Sequence, residues 1–239
     1  MCTVTFLPLS GSSFILTSNR DESQYRKIAL PPAKYLVYGT GVYFPKDMDA
    51  NGTWIAAAGT KFTLCLLNGA FAPHERHPPY RLSRGLMLLD FFKYNNVHDF
   101  LSLYDFEGIE PFTLLVFGQS LRTSIHEIRW NGKKIHSELR DSSMPLIWSS
   151  AQLYPENVIR QREEWFDAWL KANKEFTMEK IILFHKTGGT GNSNTDLLMN
   201  RDGKVFTVSI TSVMRNGNEG SMRYEDMISK NGAIEIKMN

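Results

Sequence analysis

The sequence has few cysteines, little charge imbalance and no long apolar run. Two cysteines in 239 residues are too few for a disulfide framework and are typical of a reducing compartment. The 27 lysines and arginines nearly balance 25 aspartates and glutamates, so net charge gives no reason to expect nucleic acid as a partner. No apolar run reaches transmembrane length, and no basic segment precedes the first apolar residues as in a signal peptide. We therefore expect a cytoplasmic protein with no stable membrane insertion.

No internal repeat, low-complexity tract or linker divides the sequence, which predicts one domain over residues 1–239. Apolar and β-branched runs predict hairpins near residues 2–18 and 52–68, whereas residues 25–51, rich in proline and glycine, predict an irregular surface excursion or a lid. Apolar residues at helical spacing predict helices at residues 82–92 and 156–172, and further strands are predicted between and after them. Strands, then helices, then strands favour an α+β fold with antiparallel sheets over alternating βαβ units.

The thiol at the second residue, in "MCTVTF", stands out. Free cysteine is often only a small buried apolar side chain, and this alternative stays open for Cys2. However, aminopeptidases remove an initiator methionine that precedes a small residue, which would leave Cys2 at the mature N-terminus. A thiol and an α-amine that titrates near about 8 would then share one residue, so nucleophile and base come together. This is the arrangement of N-terminal-nucleophile hydrolases.

Charged residues follow the second predicted strand, in "SNRDE" at residues 18–22. In a hairpin, the end of this strand lies beside the start of the first, so Arg20 and Asp21 are expected near residue 2. A carboxylate can orient the amine and a cation can hold the thiolate; a solvated turn is the alternative. Asn68, which closes the apolar strand "CLLN", is equally consistent with a donor facing a pocket and with a turn residue.

Four stretches in this order, "MCTVTF", "SNRDE", "GTWIAAAG" and "LLNGAF", resemble the NRDE family. This family is named for the tetrapeptide and contains the transport and Golgi organisation protein 2 group. The resemblance implies an N-terminal-nucleophile hydrolase fold similar to that of choloylglycine hydrolases and penicillin V acylases. That fold is a four-layer αββα sandwich, in which two antiparallel sheets lie between helical layers.

The resemblance also implies roles for particular residues. Cys2 is the expected nucleophile and its α-amine the base, Asp21 orients the amine, and Arg20 is the cation beside the thiolate. Asn68 resembles the asparagine that helps to form the oxyanion hole of the acylases. Asn19 completes the motif together with Glu22 and is assigned to positioning and substrate contact. No metal or other cofactor is expected.

Two positions depart from the relatives' pattern. Ser150 stands where the acylases place a catalytic asparagine, and Val208 stands where relatives show an arginine. One oxyanion-hole donor can contribute about 3 kcal/mol to transition-state stabilisation. Two functions therefore stay open: a hydrolase of linear amides acting on an N-acyl substrate through an acyl-enzyme, and a non-catalytic carrier of an acyl-lipid, acyl-CoA or haem-like ligand.

Other segments receive simpler interpretations. Tyr38 and Phe44, in the predicted excursion, are candidates to line an acyl pocket. His74 and His77, in "PHERHPP", predict a surface loop near the site entrance rather than a metal site. The glycine-rich "TGGTGNSN" lacks the lysine of a phosphate-binding loop and predicts a helix stop and a loop. From the two functions left open above, we expect the ligand to be a small N-acyl or lipid-like molecule.

Overall fold

The structure, a computed structural model, describes residues 3–59, 61–120, 123–217, 219–229 and 232–238. Its strands form two antiparallel sheets of seven strands each. The strands of the first sheet are β1 (Thr3–Pro8), β2 (Phe14–Ser23), β10 (Leu146–Ser149), β11 (Asn200–Arg201), β12 (Val205–Asn216), β13 (Glu219–Asp226) and β14 (Ala233–Met238). The strands of the second sheet are β3 (Leu30–Val37), β4 (Thr40–Lys46), β5 (Ile55–Ala58), β6 (Phe62–Asn68), β7 (Phe112–Gly118), β8 (Ser124–Trp130) and β9 (Ile135–Arg140).

The first sheet has the order β10-β1-β2-β12-β13-β14, with β11 paired to β12, and the second runs from β3 to β9 in chain order. In the described part of the chain, four α-helices cover the outer faces: α1 (Arg84–Asp90), α2 (Val97–Leu103), α3 (Glu156–Ala172) and α4 (Met178–Thr187). The first two pack on the second sheet, and the last two pack on the first sheet. The predicted αββα sandwich is therefore confirmed.

The main core lies between the two sheets and follows from strand alternation. Val4 of β1 and Cys65 and Leu67 of β6 share this core, while Leu64 and Leu66 turn outwards to the α1 and α2 layer. Both faces of β6 are thus covered, which explains why its sequence is a nearly continuous apolar run. None of the described helices is long and apolar enough to cross a membrane.

The two predicted hairpins form, as β1–β2 and β5–β6. The prediction of an irregular excursion over residues 25–51 is wrong, because β3 and β4 form a third hairpin at the edge of the second sheet. Pro31 and Pro32 lie at an irregularity in the β3–β4 register, and an edge strand tolerates prolines because one of its sides needs no ladder hydrogen bonds. Tyr38 and Gly39 make the tight turn, with φ of 47° and 79°.

Candidate active site

The candidate site is built around one end of the first hairpin. Thr3, the first described residue, pairs with Asn19 of β2. Arg20 and Asp21 therefore continue β2 just past the point where β1 begins. Cys2, the predicted nucleophile, lies outside the described residues. The described structure thus defines the surroundings of the start of β1, and these include Arg20 and Asp21 of the motif.

Arg20 and Asp21 face opposite sides of the first sheet, because consecutive side chains of a strand alternate. Arg20 points between the sheets, where its guanidinium lies 4.5 Å from the ring centroid of Trp54. Asp21 shares the outer face with Asn19, whose side chain contacts His185 of α4. The strand therefore presents a cation on one face and a carboxylate on the other at adjacent positions.

Arg20 is buried and is held by Asp47, whose Oδ2 lies 2.6 Å from Arg20 Nη2. Arg26 contacts the same oxygen at 3.1 Å. Burial alone would raise the pKa of Asp47, but the hydrogen bond from the Ala50 N–H and the charges of Arg20 and Arg26 outweigh it and hold this pKa below its ordinary value. Asp47 is consequently ionised at neutral pH and fixes the Arg20 guanidinium in one orientation.

Asp21 is buried and receives two hydroxyl donors at 2.5 Å, Tyr154 on Oδ2 and Thr207 on Oδ1. The ring of Tyr154 is covered in turn by the guanidinium of Arg162, 3.6 Å from its centroid. Short bonds to both carboxylate oxygens leave Asp21 little rotational freedom. Such a carboxylate is suited to orienting a cationic or proton-bearing group.

Asn68 ends β6, and Gly69 follows it in the left-handed region with φ of 82°. The carbonyl of Asn68 accepts hydrogen bonds from the Ser150 hydroxyl at 2.8 Å and from the Gln152 N–H at 3.2 Å. Within the described part of the chain, the side-chain amide of Asn68 has no hydrogen-bond partner. The backbone is therefore fixed while the amide is available to a ligand.

Arg20 and Asn68 line the same cavity, whose volume is about 340 Å³. Its wall carries four arginines and three carboxylates: Arg20, Arg26, Arg76, Arg84, Glu22, Asp47 and Glu110. Trp54, Leu66 and Leu82 are among its apolar members. The cavity is thus strongly charged, unlike the apolar acyl pocket that the sequence led us to expect.

Three predicted substrate contacts lie elsewhere. Asn19 is buried and accepts a hydrogen bond from His185 Nδ1 at 2.6 Å. Tyr38 is exposed at the β3–β4 turn and donates to Asp90 at 2.7 Å. Phe44 is buried in the core beneath α1 and α2. None of the three lines the charged cavity, so their roles in substrate binding stay predictions.

Sequence reasoning missed Asp47, Tyr154, Arg84 and Glu110. Tyr154 and Asp21 are 133 residues apart in the sequence, and no local pattern connects them. Asp47 lies in the segment interpreted as an irregular excursion. A local signal was "PHERHPP", which the sequence placed near the site entrance, and Arg76 within it lines the cavity.

The two departures from the relatives' pattern are also visible in the structure. The Ser150 hydroxyl donates its single proton to the Asn68 carbonyl, so it cannot also donate to a substrate oxyanion. Val208 is buried and has no polar side-chain group. Ser150 therefore supports the position of Asn68, and neither residue supplies the donor expected at its position from the resemblance.

The sequence matches a family model over residues 1–212, and that model is described as Transport and Golgi organisation 2. The chain belongs to this family. A search of curated proteins gives no match to the sequence. The match covers the described site residues Arg20, Asp21 and Asn68, as well as Cys2, and confirms the resemblance drawn from the four sequence motifs.

Solved structures show the fold of this Transport and Golgi organisation 2 family member. It is similar to a mutant of the conjugated bile acid hydrolase from Clostridium perfringens, with 10% identity, a TM-score of 0.60, and coverage of 100% of this chain and 93% of that one. A Caenorhabditis elegans ortholog of N-acylethanolamine-hydrolyzing acid amidase has 12% identity and a TM-score of 0.51, and the match covers 88% of this chain and 92% of that one. Penicillin V acylase from Agrobacterium tumefaciens has 10% identity and a TM-score of 0.50, and the match covers 99% of this chain and 86% of that one. These structures therefore confirm the fold that was expected from the resemblance.

Proposed function

We propose that the protein hydrolyses a linear amide of an N-acyl compound, with Cys2 as the nucleophile once Met1 has been removed. The observation that carries the proposal is the placement of Arg20 and Asp21 on opposite faces of β2, immediately past the Thr3–Asn19 pair. A terminal residue preceding Thr3 needs a cation for its thiolate and a carboxylate for its amine, and β2 offers one of each.

In the proposed reaction, the α-amine of Cys2 takes the thiol proton, and the sulfur attacks the amide carbonyl carbon. The Asn68 amide stabilises the oxyanion that forms. The C–N bond then breaks, the amine leaves with a proton from the Cys2 ammonium, and a thioester remains. Water attacks this thioester, which releases the carboxylic acid and restores the thiol. The net reaction consumes one amide and one water and gives one acid and one amine.

The test compares the wild-type protein with Cys2→Ala and Cys65→Ala on a series of N-acyl amides. Intact mass first establishes whether Met1 has been removed. Cys65 is a suitable control because burial raises its pKa to about 12, so it stays a thiol that reagents do not reach. We expect turnover and a Cys2 thioester in wild type and Cys65→Ala, and neither in Cys2→Ala. Equal turnover by Cys2→Ala, or no turnover by a protein whose N-terminus is Cys2, would contradict the proposal.

A second candidate function is ligand binding without chemistry, with an acyl-lipid, acyl-CoA or haem-like ligand. It is favoured by one observation, the lack of a distal oxyanion donor, since the Ser150 proton is directed to the Asn68 carbonyl and Val208 is apolar. Saturable binding of such a ligand, with equal affinity in wild type and Cys2→Ala and no product release, is the result expected from this function.

A further inference from the structure

The cavity contains a second charged group besides Arg20 and its partners. Glu110 is buried and lies at the centre of this group. Its Oε2 is 3.1 Å from Arg84 Nη2, and its Oε1 is 3.3 Å from both Arg76 Nε and His74 Nε2. The Glu110 carboxylate is therefore within ion-pair distance of two arginines and a histidine.

The guanidinium of Arg84 lies next to the end of β6. The carbonyl of Pro111 accepts one hydrogen bond from Arg84 Nη1 at 3.1 Å and another from the Gly69 N–H at 3.0 Å. Because Gly69 directly follows Asn68, the positive charge of Arg84 is close to the proposed oxyanion donor. A group bound by Arg84 would therefore lie only a few bonds from the scissile carbonyl.

Arg76 and Arg84 share a single carboxylate. Asp47, Glu22 and Asp49 pair with Arg20 and Arg26, so Glu110 is the carboxylate in contact with Arg76 and Arg84 among the described residues. Burial and the charge of Arg76 lower the pKa of Arg84 more than Glu110 and Glu22 raise it, so these carboxylates do not fully compensate the buried cation. A bound anion would supply the negative charge that Arg76 and Arg84 lack.

Residues that line the cavity also have unused donors. The Arg76 side chain is 68% exposed, and Glu110 is its ionic partner among the described residues. Most of its N–H groups therefore remain for a ligand. Trp54, which also lines the cavity, is buried, and within the described chain its Nε1–H has no acceptor. Buried donors normally have partners, so this one is suited to a ligand oxygen.

We propose that Arg76 and Arg84 select amides that carry a carboxylate close to the scissile carbonyl. This inference rests on the proposed function and adds the substrate class. The planar guanidinium fork matches the two oxygens of a carboxylate, and a cavity of about 340 Å³ lies within the size range of small-molecule sites. Specificity would then be determined by the charged end of the substrate.

The test measures binding in Cys2→Ala, which cannot turn substrate over under the proposed mechanism. The probes are N-acylglycines of increasing acyl length, from acetyl to dodecanoyl, each compared with its uncharged methyl ester by titration calorimetry. We expect the acids to bind roughly tenfold more tightly than the esters, as charge-assisted bonds do. This preference should fall to about twofold in Arg76→Gln and disappear in Arg76→Gln/Arg84→Gln.

Two further variants separate recognition from damage to the fold. Arg160→Gln removes an exposed arginine of α3 that does not line the cavity, and it should retain the full preference. Glu110→Gln removes the competing carboxylate and should strengthen binding of the acids but not of the esters, whereas a damaged fold would weaken both. Equal binding of acids and esters, or no binding by any member of the series, would overturn the inference.

The inference and the proposed function fail in different ways. Selective binding of the acids by Cys2→Ala, together with no turnover by wild type, would refute the hydrolase and support the anion site. Turnover of acids and esters with equal kcat/KM would support the hydrolase and refute the anion site.

Discussion

At the scale of single residues, Asp21 is the best-defined group of the site. Its two carboxylate oxygens accept hydrogen bonds from Tyr154 and Thr207, and its neighbour Arg20 is fixed by Asp47 on the opposite face of β2. Each motif residue thus has a supporting partner contributed by a distant part of the chain. Groups that must act with a precise orientation generally need such support.

We predict that Tyr154 acts through Asp21. Tyr154→Phe removes one donor, so kcat should fall about tenfold with little change in KM, because this hydroxyl donates to Asp21 and Tyr154 does not line the cavity. Asp21→Asn should lower kcat further, and the double variant should have the same kcat as Asp21→Asn, as expected for residues that act as one unit. The readout is kcat and KM for the four proteins.

The exposed Tyr25 offers a matched control for this cycle. Tyr25→Phe deletes a hydroxyl from a side chain that is 87% exposed, and it should leave both kinetic constants unchanged. Additive losses in the double variant would show that Tyr154 acts independently of Asp21.

At the scale of elements, α3 holds the start of β1 through Arg162. This arginine is fully buried, and its Nη1 donates to Thr3 Oγ1 at 2.6 Å. Its other donors reach the carbonyls of Thr195 and Asp196, at 2.7–3.1 Å, in the glycine-rich loop that follows α4. Arg162 therefore connects α3, β1 and the loop. Its contact on β1, Thr3, directly follows the predicted nucleophile Cys2.

We predict that Arg162→Met lowers the free energy of unfolding by about 3 kcal/mol or more, because the Thr3 hydroxyl and two loop carbonyls lose their donor in a buried place. Arg162→Lys should recover only part of the loss, since an ammonium cannot reproduce the fork. Arg160→Met, an exposed change on the same helix, should stay within about 0.5 kcal/mol. Urea unfolding measures all three, and similar values for positions 160 and 162 would contradict the prediction.

Local elements were predictable from the sequence where local chemistry decides them. The β1–β2 hairpin, the β5–β6 hairpin and the helix stop before the glycine-rich loop follow from alternation, turn residues and glycine. The β3–β4 hairpin was missed because its prolines are tolerated only at a sheet edge, and edge position is a property of the whole sheet. For the same reason, the sequence identified the motif residue Asp21 but not its partner Tyr154.

At the scale of the whole molecule, the site exists because two sheets pack face to face. Arg20 belongs to the first sheet and Asn68 to the second, and both line one cavity. Their separation is therefore determined by the core between the sheets, to which Val4 and Leu67 contribute. Anything that loosens the layers should affect the site as well as stability.

The contact between α4 and the first sheet includes a buried titratable group. His185 Nδ1 donates to Asn19 Oδ1 at 2.6 Å, and the Thr5 hydroxyl lies 2.8 Å from Nε2. Because an amide oxygen only accepts, Nδ1 carries a proton. In the neutral ring, which burial favours, Nε2 then accepts from the Thr5 hydroxyl. Burial, together with the charge of Arg162, lowers the pKa of His185 from 6.5 to about 3.

We therefore predict a loss of stability in acid that depends on His185. Below about pH 6.5 the unfolded chain binds a proton on this residue that the folded chain does not, so stability falls between about pH 6.5 and 3. The loss is about 1.4 kcal/mol for each pH unit well below the unfolded value. His185→Asn keeps a donor for Asn19 and should be less stable at pH 7, yet it should lose less stability between pH 7 and 5.

The measurement is urea unfolding of wild type, His185→Asn and His98→Asn at both pH values. His98 is exposed, so its replacement should preserve the wild-type difference between pH 7 and 5. If His185→Asn shows the same difference as wild type, other groups cause the acid sensitivity. A smaller difference in His185→Asn alone would show that one neutral imidazole between α4, β1 and β2 links the outer helical layer to the sheet that carries Arg20 and Asp21.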